Sequence, residues 1–184
     1  MHERKTKELH HHRRSARQAR YFITVCTTDH RLGLTTPAVQ KLILQTAMRS
    51  DDLGDTETFA FTVMANHVHW LFRLGNRLSL GRVVARLKAE TRVGLSDSGL
   101  RWQRDFFERR LREEESAEDY GRYIFLNPYR AELLELSAVW MGWCCPKPEQ
   151  FEFLTRLDAD GSVPSQWIGA DETSEEGGIR IGRD

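Results

Sequence analysis

Three cysteines in 184 residues, two of them the neighbours Cys144 and Cys145, are too few for a disulfide framework, and none stands in a Cys-x-x-Cys spacing. Reduced thiols are expected. No apolar run approaches the roughly 18 residues of a membrane-spanning helix, and residues 1–20 are polar and basic, without the apolar stretch of a signal peptide. The expectation is a soluble, cytoplasmic protein with no membrane partner. Net charge is missing too: Lys plus Arg and Asp plus Glu each total 27, which at face value argues against nucleic acid. The mean conceals segregation. Residues 1–20 hold seven basic and two acidic side chains, residues 73–112 eleven and four, and residues 149–184 three and nine. A chain divided in this way presents a positive face and an acidic end at once, and a polyanion responds to the local field.

What the sequence does contain is a core: 40% of residues are hydrophobic and 10% aromatic, and the length suits one domain with a tail. Residues 1–18, charged and including His10 to His12, read as a basic N-terminal arm. The folded domain is expected over 19–143, and 144–184 as an acidic, solvated C-terminal tail. Residues 20–28 are β-branched and aromatic, which predicts a strand. Thr36 caps and Pro37 opens a helix with Val39, Leu42, Ile43 and Ala47 on one face, ended by Asp51 to Asp55. Phe59, Phe61 and Val63 alternate, and after Met64-Ala65-Asn66 a second strand completes a hairpin with His67 to Phe72. Ser79 caps a helix with Leu80, Val83, Val84 and Leu87 inward and Arg82, Arg86, Lys88 and Arg92 outward. Ser116 and Asp119 resemble a capping box that starts a third helix running toward Pro128. This order predicts an α+β sandwich, an antiparallel sheet with helices covering one face.

Chemistry concentrates at His67-Val68-His69. Residues two apart on a strand share a face with Cα atoms about 6.6 Å apart, so two imidazoles converge on one ion while Val68, Trp70 and Phe72 bury opposite. A divalent metal is the functional reading; two core or surface histidines is the other. The following Trp70 to Gly75 offers no ligand of the cupin or metallo-β-lactamase type, the chain is too short for an amidohydrolase barrel, and no Cys pair makes a zinc finger. A second constellation lies at Tyr123 to Pro128. On a helix, Asn127 stands beside Tyr123 with a rise of about 6 Å, whereas Tyr120 is about 10.5 Å from Asn127. Tyr123 is equally readable as a core aromatic, and Asn127 before Pro128 as a helix-ending residue.

Met64-Ala65-Asn66-His67-Val68-His69, Trp102-Gln103-Arg104-Asp105-Phe106-Phe107-Glu108 and Tyr123-Ile124-Phe125-Leu126-Asn127-Pro128-Tyr129-Arg130-Ala131 together resemble the three signature blocks of REP-associated tyrosine transposases. These belong to the single-tyrosine HUH transposases. With the strand at Tyr21 to Thr27, the resemblance spans about residues 15–143. It implies a ferredoxin-like (RRM-like) fold of the HUH endonuclease type, single-stranded DNA with hairpins as partner, and cleavage and rejoining through a 5′-phosphotyrosine. Tyr123 would be the nucleophile, His67 and His69 metal ligands with Asn127 a third, and Mg²⁺ or Mn²⁺ the cofactor. Arg13, Arg14, Arg17 and Arg20 of the arm, with Arg82, Arg86, Lys88, Arg104 and Arg112, are the expected DNA-binding cations of a monomer or homodimer. Two departures stand out: Ala65 where the family has Pro, and Arg109 where it has His. The second substitutes a permanent cation for a titratable group, and so keeps a rival open, a DNA-hairpin-binding protein of the same fold without cleavage.

Overall fold

The computed structural model describes residues 15–169. Arg13 and Arg14, most of the basic arm and the acidic end of the tail lie outside them. In chain order the elements are β1 (Arg20–Cys26), α1 (Pro37–Asp52), β2 (Thr56–Val63), β3 (His67–Leu74), α2 (Leu80–Asp97), β4 (Phe107–Arg110), α3 (Ala117–Arg130), the two-residue β5 (Trp143–Cys144) and the short α4 (Gln166–Gly169). The antiparallel sheet is ordered β4-β1-β3-β2-β5. Without β5 this is the β-α-β-β-α-β ferredoxin-like arrangement, so the α+β expectation holds. Among the described residues no helix is long and apolar enough to cross a membrane.

Period-two alternation assigns each strand two jobs. Tyr21, Ile23 and Val25 of β1, with Val68, Trp70 and Phe72 of β3, pack under α1 and α2. Phe22 and Leu71 point the opposite way, against α3. The expected single helical face therefore describes α1 and α2, and α3 adds a layer on the other side. β2 departs from the expected alternation: a register shift between Thr58 and Ala60 turns Phe59 toward α3, while Phe61 and Val63 stay under α1 and α2.

Local signals hold in part. The Ser79 hydroxyl accepts the Arg82 N–H at the start of α2, and Leu80, Val83, Val84 and Leu87 are buried as expected. Thr36 occupies the N-cap of α1 without a side-chain capping bond. Ser116 caps α3 by accepting from Glu118 N–H rather than from Asp119 as a capping box requires, and the Glu118 carboxylate accepts the N–H groups of Glu152 and Phe153. α3 does not stop at Asn127. It runs through Pro128 to Arg130, because Ile124, Phe125, Leu126, Pro128 and Tyr129 all bury on that face.

The expectation of a solvated tail is overturned for its described part. Phe151, Phe153 and Val163 are buried against α3, and Arg122 stacks over Trp167 with 4.5 Å to the ring centroid. Gly121 makes this possible, since a Cβ there would stand 2.3 Å from the Phe151 ring. Segment 144–168 is thus a second layer that fixes α3 on the sheet.

Candidate active site

The face of the sheet under α3 carries Arg20, Phe22, Thr24 and Cys26 of β1 beside His67, His69, Leu71 and Arg73 of β3. At one end of this face an open cleft of about 710 Å³ is lined by Thr24, Cys26, His67, His69, Tyr123 and Asn127. His30, Asn66, Gln103, Asp105, Phe106 and Phe107 complete it. The four residues singled out at His67, His69, Tyr123 and Asn127, from a strand and a helix more than 50 positions apart, therefore share one cavity.

Hydrogen bonds fix both imidazoles. His67 Nδ1 lies 2.7 Å from Asn66 Oδ1, and the Asn66 amide nitrogen donates to the His30 carbonyl at 3.3 Å. That assigns the amide oxygen to His67, so Nδ1 carries the proton and Nε2 the lone pair. The two Nε2 atoms are 3.1 Å apart, and His69 Nδ1 is 2.9 Å from Thr24 Oγ1. Burial pushes the His67 pKa down to about 4, helped by the His30 charge, and burial pushes His69 well below the imidazole range, helped by His67. Both rings are neutral at physiological pH, the state a metal requires.

The donor set fits a small divalent cation. Two ligands at about 2.1 Å on adjacent octahedral positions are about 3 Å apart, which matches the Nε2 separation. Thr24 can accept as readily as donate, so it also serves the tautomer with both Nε2 atoms turned to an ion. Among the described residues no group of three or more His, Cys, Asp and Glu side chains could hold a metal. On α3, Asn127 lines the same cleft, and its amide nitrogen donates to the Tyr123 carbonyl at 3.4 Å, which leaves the amide oxygen free of that bond.

Of the four tyrosines, Tyr123 alone lines the cleft. Its ring meets His69 at 5.5 Å and Phe22 at 6.0 Å, both edge-on. Tyr120 is buried, its hydroxyl 3.3 Å from Glu115 Oε1 and its ring under Arg109, and burial pushes its pKa up to about 12. The hydroxyls of Tyr21 and Tyr129 reach the carbonyls of Ala16 and Ala138. Arg109 pairs with Glu115 and is not among the cleft-lining residues.

The expected DNA-binding cations divide. Arg86 pairs with the buried Asp55 carboxylate, and Lys88 Nζ donates to the carbonyls of Gln103, Arg104 and Asp105, with burial lowering its pKa. Both act inside the fold, contrary to the outward-facing expectation. Lys88 fixes the loop that walls the cleft. Arg20 Nη2 is within hydrogen-bond distance of the Arg112, Glu113 and Glu115 carbonyls, tying β1 to the turn after β4. Arg17, Arg82, Arg104 and Arg112 are exposed. Arg17, Arg20, Arg73, Arg110 and Arg112 line a second groove, of about 620 Å³, with one acidic residue, Glu113. Sequence reasoning did not single out Thr24, Asn66 or His30; the even spacing of Thr24 from Phe22 was the available signal for the first.

No family model and no curated protein matches the chain. Among solved structures, a provisionally assigned transposase from Deinococcus radiodurans R1 aligns at 17% identity and a TM-score of 0.45, over 66% of this chain and 89% of that one. The structure of a REP-associated tyrosine transposase bound to a REP hairpin aligns over 98% of this chain and 99% of that one, with 20% identity and a TM-score of 0.63. Over nearly its whole length, the chain therefore has the fold of a REP-associated tyrosine transposase.

Proposed function

We propose that the chain is a metal-dependent transposase and endonuclease of the single-tyrosine HUH type, which cleaves and rejoins hairpin-containing single-stranded DNA through a 5′-phosphotyrosine. The observation that carries this is the convergence of His67, His69, Asn127 and Tyr123 on one open cleft, with Tyr123 the single tyrosine there. A solved protein of this fold, 20% identical to the chain, was captured on a REP hairpin, which supports the same substrate class.

His67 and His69 would hold Mg²⁺ or Mn²⁺ through Nε2, and Asn127 through its amide oxygen. When bound, the ion supplies a positive charge that offsets the repulsion between a phosphodiester and an attacking anion. The Tyr123 oxygen forms the new bond to phosphorus, the bond from phosphorus to O3′ breaks, and the 5′ end stays on the protein. Water in that role would release both ends, whereas a phosphotyrosine conserves the phosphodiester for rejoining. Phe22, stacked on His69 at 5.3 Å and edge-on to Tyr123, sets the two rings relative to one another. The contact of Tyr120 with Glu115 and its raised pKa support Tyr123 over Tyr120 as the nucleophile. The placement of Arg109 outside the cleft weakens the binding-only reading, which rested on that position.

The test is a gel. Labelled single-stranded DNA carrying a hairpin, incubated with Mg²⁺ or Mn²⁺, becomes attached to the protein resistant to SDS, and Tyr123→Phe abolishes attachment while Tyr120→Phe retains it. Attachment by Tyr123→Phe, or none by the wild type on any hairpin, removes the proposal.

A further inference from the structure

The segment after β1 holds two consecutive non-glycine residues in the left-handed region, Asp29 with φ 54° and His30 with φ 51°. Each such residue costs of order 1 kcal/mol or more and persists only where its surroundings over-determine it. They do so here. The Thr27 N–H donates to the Asn66 carbonyl at 2.8 Å, and the Thr27 hydroxyl reaches the carbonyls of Arg31 at 2.7 Å and Asn66 at 3.0 Å. Thr28 N–H donates to Arg101, and the Gly33 and Leu34 N–H groups both donate to Ala65. Asn66, which orients His67, also holds the His30 carbonyl. The strained turn is thus bolted to the residues just before His67, and His30 lines the cleft there, its charge acting on His67.

Resting on the transposase reading, we infer that His30 is a catalytic residue, the general acid that protonates the departing O3′ and the base that takes that proton back on rejoining. Breaking the bond from phosphorus to O3′ leaves an electron pair on an alkoxide, a poor leaving group without a proton. The phenolic proton of Tyr123 goes to solvent, the proton from His30 goes to O3′, and solvent restores His30, so the step balances as one phenol O–H exchanged for one sugar O–H. The cleft's titratable side chains are Cys26, His30, His67, His69, Asp105 and Tyr123. Tyr123 is the nucleophile, and His67 and His69 must offer lone pairs. Of the remaining types, imidazole is the one that most often serves as general acid and base. His30 is also carried by a different element from the metal-binding strand and from α3.

The substitution must spare the turn. Asn and Gly adopt left-handed φ readily, so His30→Asn and His30→Gly remove the imidazole and keep the backbone. The measurement compares ordinary hairpin DNA with the same DNA carrying sulfur in place of the bridging O3′, because a thiolate departs without a proton. The expected result is covalent attachment slowed about 100-fold or more on the oxygen substrate for both variants, wild-type rates on the sulfur substrate, and unchanged hairpin affinity. An equal slowing on both substrates makes His30 a structural residue, and wild-type rates on the oxygen substrate remove it from the reaction. Failure of the wild-type protein to attach to either substrate overturns the parent reading instead.

Discussion

Tyr120 and Tyr123 sit less than one turn apart on α3 with identical chemistry, and their surroundings separate them. Tyr120 is enclosed with Arg109 and Glu115 and its proton is held, whereas Tyr123 opens on the cleft beside His69. The histidine pair is a further case in which burial decides chemistry. Replacing His67 or His69 by Ala is expected to abolish attachment and leave hairpin affinity nearly unchanged, read by the gel assay beside a binding titration; full activity in the double variant shows that the site is misassigned. The same burial has a cost in acid. An imidazole whose folded pKa is depressed binds more protons unfolded, so stability is unaffected above about 6.5 and falls as pH drops from there toward about 4 for His67, with His69 acting in the same direction. His67 contributes on the order of 1.4 kcal/mol per pH unit within that window. Denaturant melts of metal-free protein at pH 7 and pH 5 are expected to show that loss, and His67→Asn with His69→Asn to flatten it. A profile as steep in the double variant assigns the acid sensitivity elsewhere.

At the scale of elements, α3 is where the sequence was most and least legible. The spacing of Tyr123 and Asn127 placed both on one helical face, since four residues make about one turn. The end of the helix was misread because the rule for residues before proline is local, and the burial of Pro128 and Tyr129 against the sheet is not. β1, the β2–β3 hairpin, α1 and α2 were legible because their apolar periods are long. β4 was not, since Phe-Glu-Arg-Arg has no period and is a strand only through pairing with Tyr21 to Thr24. The tail was masked by its acidic composition, in which Phe151, Phe153 and Val163 are sparse but aimed at one helix. That docking is testable at Gly121. Ala there sets a Cβ 2.3 Å from the Phe151 ring, an overpacking expected to cost about 1–3 kcal/mol and to slow attachment by tilting Tyr123. The denaturation midpoint and the gel assay measure the two effects, and a neutral change shows that the tail does not support α3. α2 offers a second test: Arg86→Leu leaves the buried Asp55 carboxylate with the more distant Arg77, at 3.9 Å, and is expected to destabilise by about 3 kcal/mol, with Asp55→Asn restoring much of it.

Across the whole molecule, zero net charge coexists with a directional field. The register of β1 and β3 pairs Cys26 with His67 at one end and Arg20 with Arg73 at the other, so the cleft and the arginine groove share a face of the sheet. Arg73 lies four strand positions beyond His69, about 13 Å, close enough for one DNA molecule to occupy both. On the proposed function, chemistry belongs to the cleft and phosphate contacts to the groove, which separates affinity from rate. Arg20 ties β1 to the turn after β4, and Arg73 pairs with Glu57, so the exposed Arg17, Arg110 and Arg112 are the cations to remove. Changing all three to Ser is expected to weaken binding of a hairpin DNA across sequences. It should also reduce the slope of log affinity against log salt by about two, at roughly 0.7 per phosphate contact on single strands and 0.9 on duplex. The attachment rate at saturating DNA should stay at the wild-type value, because Tyr123 and the histidines are untouched. A changed rate with an unchanged slope would place the three arginines in the chemistry, and an unchanged affinity would move the DNA path to the exposed Arg82 and Arg104, where the same salt titration can find it.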